Sequence, residues 1–69
     1  MTQYERILRY LDDFGSITPM EAFLDLGITN LATRVSEMTR KGYRFDKTLE
    51  SKVNRYGQKV HYMRYRRAA

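Results

Sequence analysis

The feature that most constrains this chain of 69 residues is a short punctuated stretch, Thr18-Pro19-Met20-Glu21 followed by Gly27-Ile28-Thr29. Threonine with glutamate three residues later is a capping box, in which each side chain satisfies an orphan backbone donor at a helix start. Proline at N1 removes an N–H that has no partner there in any case. A helix starting at Pro19 must stop by Asp25-Leu26-Gly27, where glycine takes up the left-handed C′ conformation. Ile28 is then expected to plug back into the core, and Thr29 to cap a following helix over about 30–41. Two short helices joined by so tight a glycine-containing turn form a helix-turn-helix.

A first helix precedes them. Thr2 and Glu5 make another capping box, Tyr4, Ile7, Leu8 and Leu11 recur at helical spacing, and Phe14-Gly15 closes the segment. Asp12 and Asp13 are neighbours on a helix and so do not face each other; they read as a solvated face near Arg9 rather than as a catalytic pair. The second helix is expected to carry Met20, Phe23 and Leu24 inward. In the third, Leu31, Val35 and Met38 form the buried stripe with Ala32 at its flank. The opposite face then presents Asn30, Thr33, Ser36, Glu37 and Arg40, with Arg34 and Lys41 at one border.

After Gly42 the pattern changes period. Tyr43 to Thr48 alternates as a strand does, Asn54-Arg55-Tyr56-Gly57 carries turn residues, and Lys59 to Tyr65 is rich in Val and Tyr, so the two runs predict an antiparallel hairpin. The returning run has apolar groups on both faces, which leaves its register open and admits a bulge. A domain this short needs Tyr43, Phe45 and Tyr62 in its core. Arg66 to Ala69 read as a frayed tail, so the domain is expected over 1–66 with a tail over 67–69.

Charge divides along the same line. Residues 1–38 carry three basic groups against six acidic ones, a net of −3, whereas residues 39–69 carry ten against two, a net of +8. Such a local positive field suits a polyanion, because each neutralised phosphate releases condensed counterions whatever the sequence. There is no cysteine and one histidine, His61. A disulfide framework is therefore excluded, no cofactor or metal is implied, and a reducing cytoplasm is the expected compartment. No apolar run near Met1 reads as a signal peptide, and none is long enough to span a membrane. An enzyme is not expected, for want of a cysteine nucleophile, a positioned histidine, a phosphate-cradling glycine loop or a metal-spaced carboxylate cluster.

The order helix, helix-turn-helix, basic hairpin is an α+β plan, the winged helix-turn-helix. The chain also resembles the small helix-turn-helix proteins of phages, prophages and mobile elements. The residues carrying the resemblance are Gly15-Ser16-Ile17-Thr18, Glu21-Ala22, Leu26-Gly27-Ile28, Leu31, Arg34-Val35, Met38, Gly42-Tyr43 with Phe45, and Gly57 followed by Val60, Tyr62 and Tyr65. It departs at Thr39, where that pattern favours a further basic residue. The resemblance implies a non-enzymatic, duplex-DNA-binding transcriptional regulator.

In that reading the third helix enters the major groove with Asn30, Thr33, Arg34, Ser36, Glu37 and Arg40 toward the bases, and the start of the second helix near Thr18 and Met20 approaches a phosphate. Lys41, Arg44, Lys47, Lys52, Arg55, Tyr56, Lys59, Arg64, Arg66 and Arg67 are the candidates for the phosphate backbone and the wing. Tyr56 either stacks on a base or shields the turn. The competing reading is a protein-interaction module, such as a phage-encoded modulator of a host nucleic-acid machine, in which the positive hairpin meets an acidic host protein; single-stranded nucleic acid, stacked on Tyr56, Tyr62 and Tyr65, is a third. A monomer or weak homodimer is expected, with Tyr10 and Phe14 as a small exposed patch on the first helix.

Overall fold

A computed structural model describes residues 1–68, so Ala69, part of the expected tail, lies outside the described residues. The elements are α1 Gln3–Phe14, α2 Pro19–Leu26, α3 Leu31–Arg40, β1 Phe45–Val53 and β2 Lys59–Arg67. Both capping boxes are formed: Glu5 N–H donates to Thr2 Oγ1 at 3.1 Å, and Thr18 N–H to Glu21 Oε1 at 2.9 Å. Gly27 ends α2 in the left-handed region at φ 70°, which a side chain would strain. Immediately after it, Ile28 N–H reaches the Ala22 carbonyl at 3.0 Å and its side chain drops into the core.

The core joins all three helices to the hairpin. Ile7, Tyr10 and Leu11 from α1, Ala22 from α2, and Leu31, Val35 and Met38 from α3 close around Ile17, Ile28 and Tyr65. Burying a side chain such as Ile, Val or Met contributes about 1.5–3 kcal/mol, and here that gain has no disulfide to supplement it. Ile17 does more than fill space. It exchanges two 2.9 Å backbone bonds with Tyr65, so the α1–α2 link becomes a one-residue third strand on β2.

Several expectations are corrected. Met20, Phe23 and Leu24 point to solvent, because the one polar side of α2, Glu21 and Asp25, is turned toward Arg64 of the hairpin and Tyr10 of α1; the small Ala22 is buried instead. Ala32, expected beside the buried stripe, is exposed. Asn30 rather than Thr29 is the N-cap of α3, and its side chain makes no capping bond. Tyr10 is 7% exposed and belongs to the core, leaving Phe14 alone outside at a ring distance of 4.6 Å. Tyr62 is half-buried and stands apart from the core, whereas Tyr65 is inside it.

The first strand begins two residues later than the alternation suggests. Tyr43 N–H is taken by the Met38 carbonyl at 3.1 Å to finish α3, so Tyr43 is not free to pair in the sheet. From Phe45 the ladder then runs without a bulge from Phe45↔Arg67 to Val53↔Lys59. Arg66 and Arg67 are consequently strand residues rather than a frayed tail. Gly57, at φ 77°, donates back to the Asn54 carbonyl and closes the turn. Nine-residue strands reach about 30 Å, which accounts for the elongated 38 × 22 × 21 Å shape.

Candidate nucleic-acid interface

With Leu31, Val35 and Met38 inward, helical geometry points Thr33, Ser36 and Arg40 the opposite way. Ser36 and Arg40 are exposed and Thr33 is half-buried. Thr33 Oγ1 donates to Asn30 Oδ1 at 2.8 Å, which leaves the Asn30 amide nitrogen free to donate outward. Two residues that sequence reasoning passed over widen this face. Ala32 and Thr39 are exposed beside it and offer methyl groups of the kind that contact a thymine. Thr39 had a legible signal, since its hydroxyl bonds back to the Val35 carbonyl at 2.9 Å, a habit of threonine within helices that leaves the methyl outside.

Glu37 and Arg34 do not join that face. Glu37 Oε1 accepts a 2.7 Å bond from the Tyr4 hydroxyl on α1 and lies 3.3 Å from Arg34 Nε. Held beside a carboxylate, Tyr4 has its pKa raised, chiefly by that hydrogen bond. The i,i+4 neighbour Lys41 sits over the Tyr4 ring instead, 5.5 Å from its centroid. The carboxylate that would repel phosphate is thus turned toward α1, and the Arg34 guanidinium is engaged beside it at the α1–α3 seam.

The hairpin sorts its cations in the same way. Arg64 Nε donates to Glu50 Oε1 at 2.8 Å, its Nη1 donates to Ser16 Oγ at 2.9 Å and lies 3.5 Å from Glu21 Oε1, and its side chain is 22% exposed. The bond from Arg64 holds the Glu50 carboxyl below its ordinary range. Arg64, expected on a phosphate, is therefore a tie between the hairpin, the α1–α2 link and α2. Arg44, Lys47, Lys52, Arg55, Lys59, Arg66 and Arg67 are exposed, and among the described residues none enters an ion pair. Arg67 lies 5.7 Å over the Tyr43 ring, and Arg66 makes one long 3.4 Å bond to Thr48. Tyr56 stands 83% exposed at the turn.

The start of α2 is less open than its sequence suggests. Thr18 is buried, and the capping box occupies two backbone donors there, the Thr18 N–H with the Glu21 carboxylate and the Glu21 N–H with the Thr18 hydroxyl. Among the described residues, no group of three or more His, Cys, Asp or Glu could hold a metal ion, and no helix is long and apolar enough to cross a membrane.

A family model described as a winged helix-turn-helix domain matches residues 2–66. The chain belongs to the winged helix-turn-helix family. No curated protein and no solved structure matches it. In this winged helix-turn-helix domain α2 and α3 are the helix-turn-helix and the β1–β2 hairpin is the wing. The winged helix-turn-helix fold suggests DNA as partner, and such domains are typically non-enzymatic binding modules.

Proposed function

We propose that this protein binds duplex DNA without catalysis, as a transcriptional regulator of the kind carried by phages and mobile elements, acting in the cytoplasm. Helix α3 lies in the major groove with Thr33, Ser36 and Arg40 toward base edges and Asn30, Ala32 and Thr39 around them. The wing follows the phosphate backbone with Lys47, Lys52, Arg55, Lys59, Arg66 and Arg67, while Lys41 and Arg44 serve the backbone beside the end of α3. The observation that carries this reading is the separation of charges. Of the acids near the interface, Glu37, Glu21 and Glu50 are engaged by partners within the fold and Asp46 alone is exposed on the wing. The seven exposed cations of the wing and its base, Arg44, Lys47, Lys52, Arg55, Lys59, Arg66 and Arg67, by contrast enter no ion pair among the described residues.

Titration of a labelled random-sequence duplex, followed by fluorescence anisotropy at two salt concentrations, tests it. Binding in the range of about 10⁻⁴ to 10⁻⁶ M, steeply weakened by salt and stronger than to a single strand of equal length, is the expected result. Absence of binding at low salt would discard it. A protein-docking role is then the second reading, favoured by the exposed Met20, Phe23 and Leu24 on α2.

A further inference from the structure

Alternate residues of β2 turn their backbone groups away from β1, and three sets of bonds fix which ones. Asn54 N–H donates to the Gln58 carbonyl at 2.8 Å, Ala68 N–H donates to the Arg44 carbonyl at 3.0 Å, and Tyr65 exchanges its two bonds with Ile17 on the far side. With an unbroken register, the even-numbered residues of β2 bond to β1 while Lys59, His61 and Met63 face outward with Tyr65. Ile17 meets only Tyr65, because α2 starts at Pro19 and the chain leaves the sheet there. Among the described residues no backbone bond reaches His61 or Met63 from that side.

This open edge runs along a groove of about 420 Å³ between the start of α2 and the wing, lined by Pro19, Met20, Lys52, Val60, His61 and Tyr62. The Arg64–Glu21 pair closes its inner end. The geometry points to a strand-addition site, in which an extended segment of a partner protein, acidic and apolar in alternation, continues on β2 the strand that Ile17 begins. A peptide backbone brings both a donor and an acceptor to His61, reproducing the two-bond exchange made by Ile17. A nucleic-acid backbone brings phosphate acceptors alone, which the outward carbonyls repel. Apolar side chains of the segment, on the groove face, meet Met20, Val60 and Tyr62, and an acidic one, on the opposite face of the added strand, meets Lys59, which is exposed and has no ion-pair partner among the described residues. A second copy of this chain is disfavoured as occupant, because joining two β2 edges sets two cationic hairpins side by side. The outer edge of β1 is unpaired too, but it lacks the wall that α2 supplies.

The test is an NMR titration of the isotopically labelled full chain with a blocked peptide of about six residues alternating glutamate and valine, a usual strand length. Shifts and hydrogen-exchange protection are expected at the His61 and Met63 amides, with none at Leu49 and Ser51 on the β1 edge. Exchanging glutamate for lysine in the peptide, or placing proline at its centre, should remove binding. Lys59→Glu, an exposed substitution that leaves the core intact, should weaken it about two- to fivefold, the range of a single surface ion pair. No binding at millimolar peptide would overturn the site. So would equal binding of the lysine or proline peptide, protection on the β1 edge, or the same protection produced by a single-stranded oligonucleotide.

Discussion

Arg64 and the tip cations Lys52, Arg55 and Lys59 look alike in sequence, but Arg64 is engaged within the fold whereas the other three are exposed and enter no ion pair among the described residues. The proposed function gives the two sets different jobs. Two variants separate those jobs: Arg64→Met, which keeps the aliphatic stem, and the triple change Lys52→Gln, Arg55→Gln, Lys59→Gln. In the logarithm of affinity against the logarithm of salt concentration, each neutralised phosphate contributes a slope of about −0.9. Three exposed, unpaired cations should therefore flatten the slope by roughly 2.7 if all three touch backbone, so that over a fourfold rise in salt the wild type loses about 40-fold more affinity than the triple variant does. Arg64→Met should leave the slope unchanged, because its guanidinium is already occupied by Glu50, Ser16 and Glu21. Its effect should appear in stability, as a lower urea midpoint by circular dichroism at constant m. Affinities come from anisotropy at several salt concentrations on one duplex. A drop of about one slope unit for Arg64→Met, or an unaltered slope for the triple variant, would refute this division of roles.

Three other outcomes are expected. Tyr4→Phe removes the 2.7 Å bond that holds Glu37 against α1, so duplex affinity should fall several-fold, and adding Glu37→Gln should recover it; a double variant as weak as the single one would contradict the account. Met38 is 0% exposed, and Met38→Ala should cost about 2–5 kcal/mol, comparable with the whole stability of a domain this small, so thermal melting should show a largely unfolded population. The Tyr10 hydroxyl bonds Asp25 Oδ2 at 2.6 Å, and that bond, with burial, pushes its pKa up to about 12 from 10.0. Folding thus favours the protonated phenol, a contribution fully present below pH 10 and lost as pH rises toward 12. The urea-midpoint advantage of wild type over Tyr10→Phe should shrink across that window, and a constant difference would exclude the mechanism.

Legibility in the sequence follows the range of the forces involved. Both capping boxes, the glycines that end α1 and α2, the buried stripe of α3 and the hairpin turn rest on interactions within a few residues, and these were readable directly. The inward face of α2 was not. Its one polar side, Glu21 and Asp25, is turned toward Arg64 of the hairpin and Tyr10 of α1 rather than to open solvent, and Ala22, the smallest residue, is the one buried while Met20, Phe23 and Leu24 are left outside. Strand register was closed to reading too, since Val60, Tyr62, Met63 and Tyr65 place apolar groups on both sides of β2. What chose between the sides was Ile17, whose pairing with Tyr65 spans nearly fifty residues of chain.

By itself, then, the sequence determined the order of the elements, the capped ends of α1 and α2, the separation of acidic and basic halves, and the buried stripe of α3, because backbone capping and helical periodicity act locally. Tertiary structure alone decided which charges are free. Glu37 and Arg64 belong to the same composition as Arg40 and Lys52, yet α1 brings Tyr4 within 2.7 Å of Glu37, and the α1–α2 link and the start of α2 bring Ser16 and Glu21 within 2.9–3.5 Å of Arg64. Among the described residues no ion-pair partner reaches Arg40 or Lys52. Coulomb interactions depend on distance in space, and a sequence orders residues only along the chain.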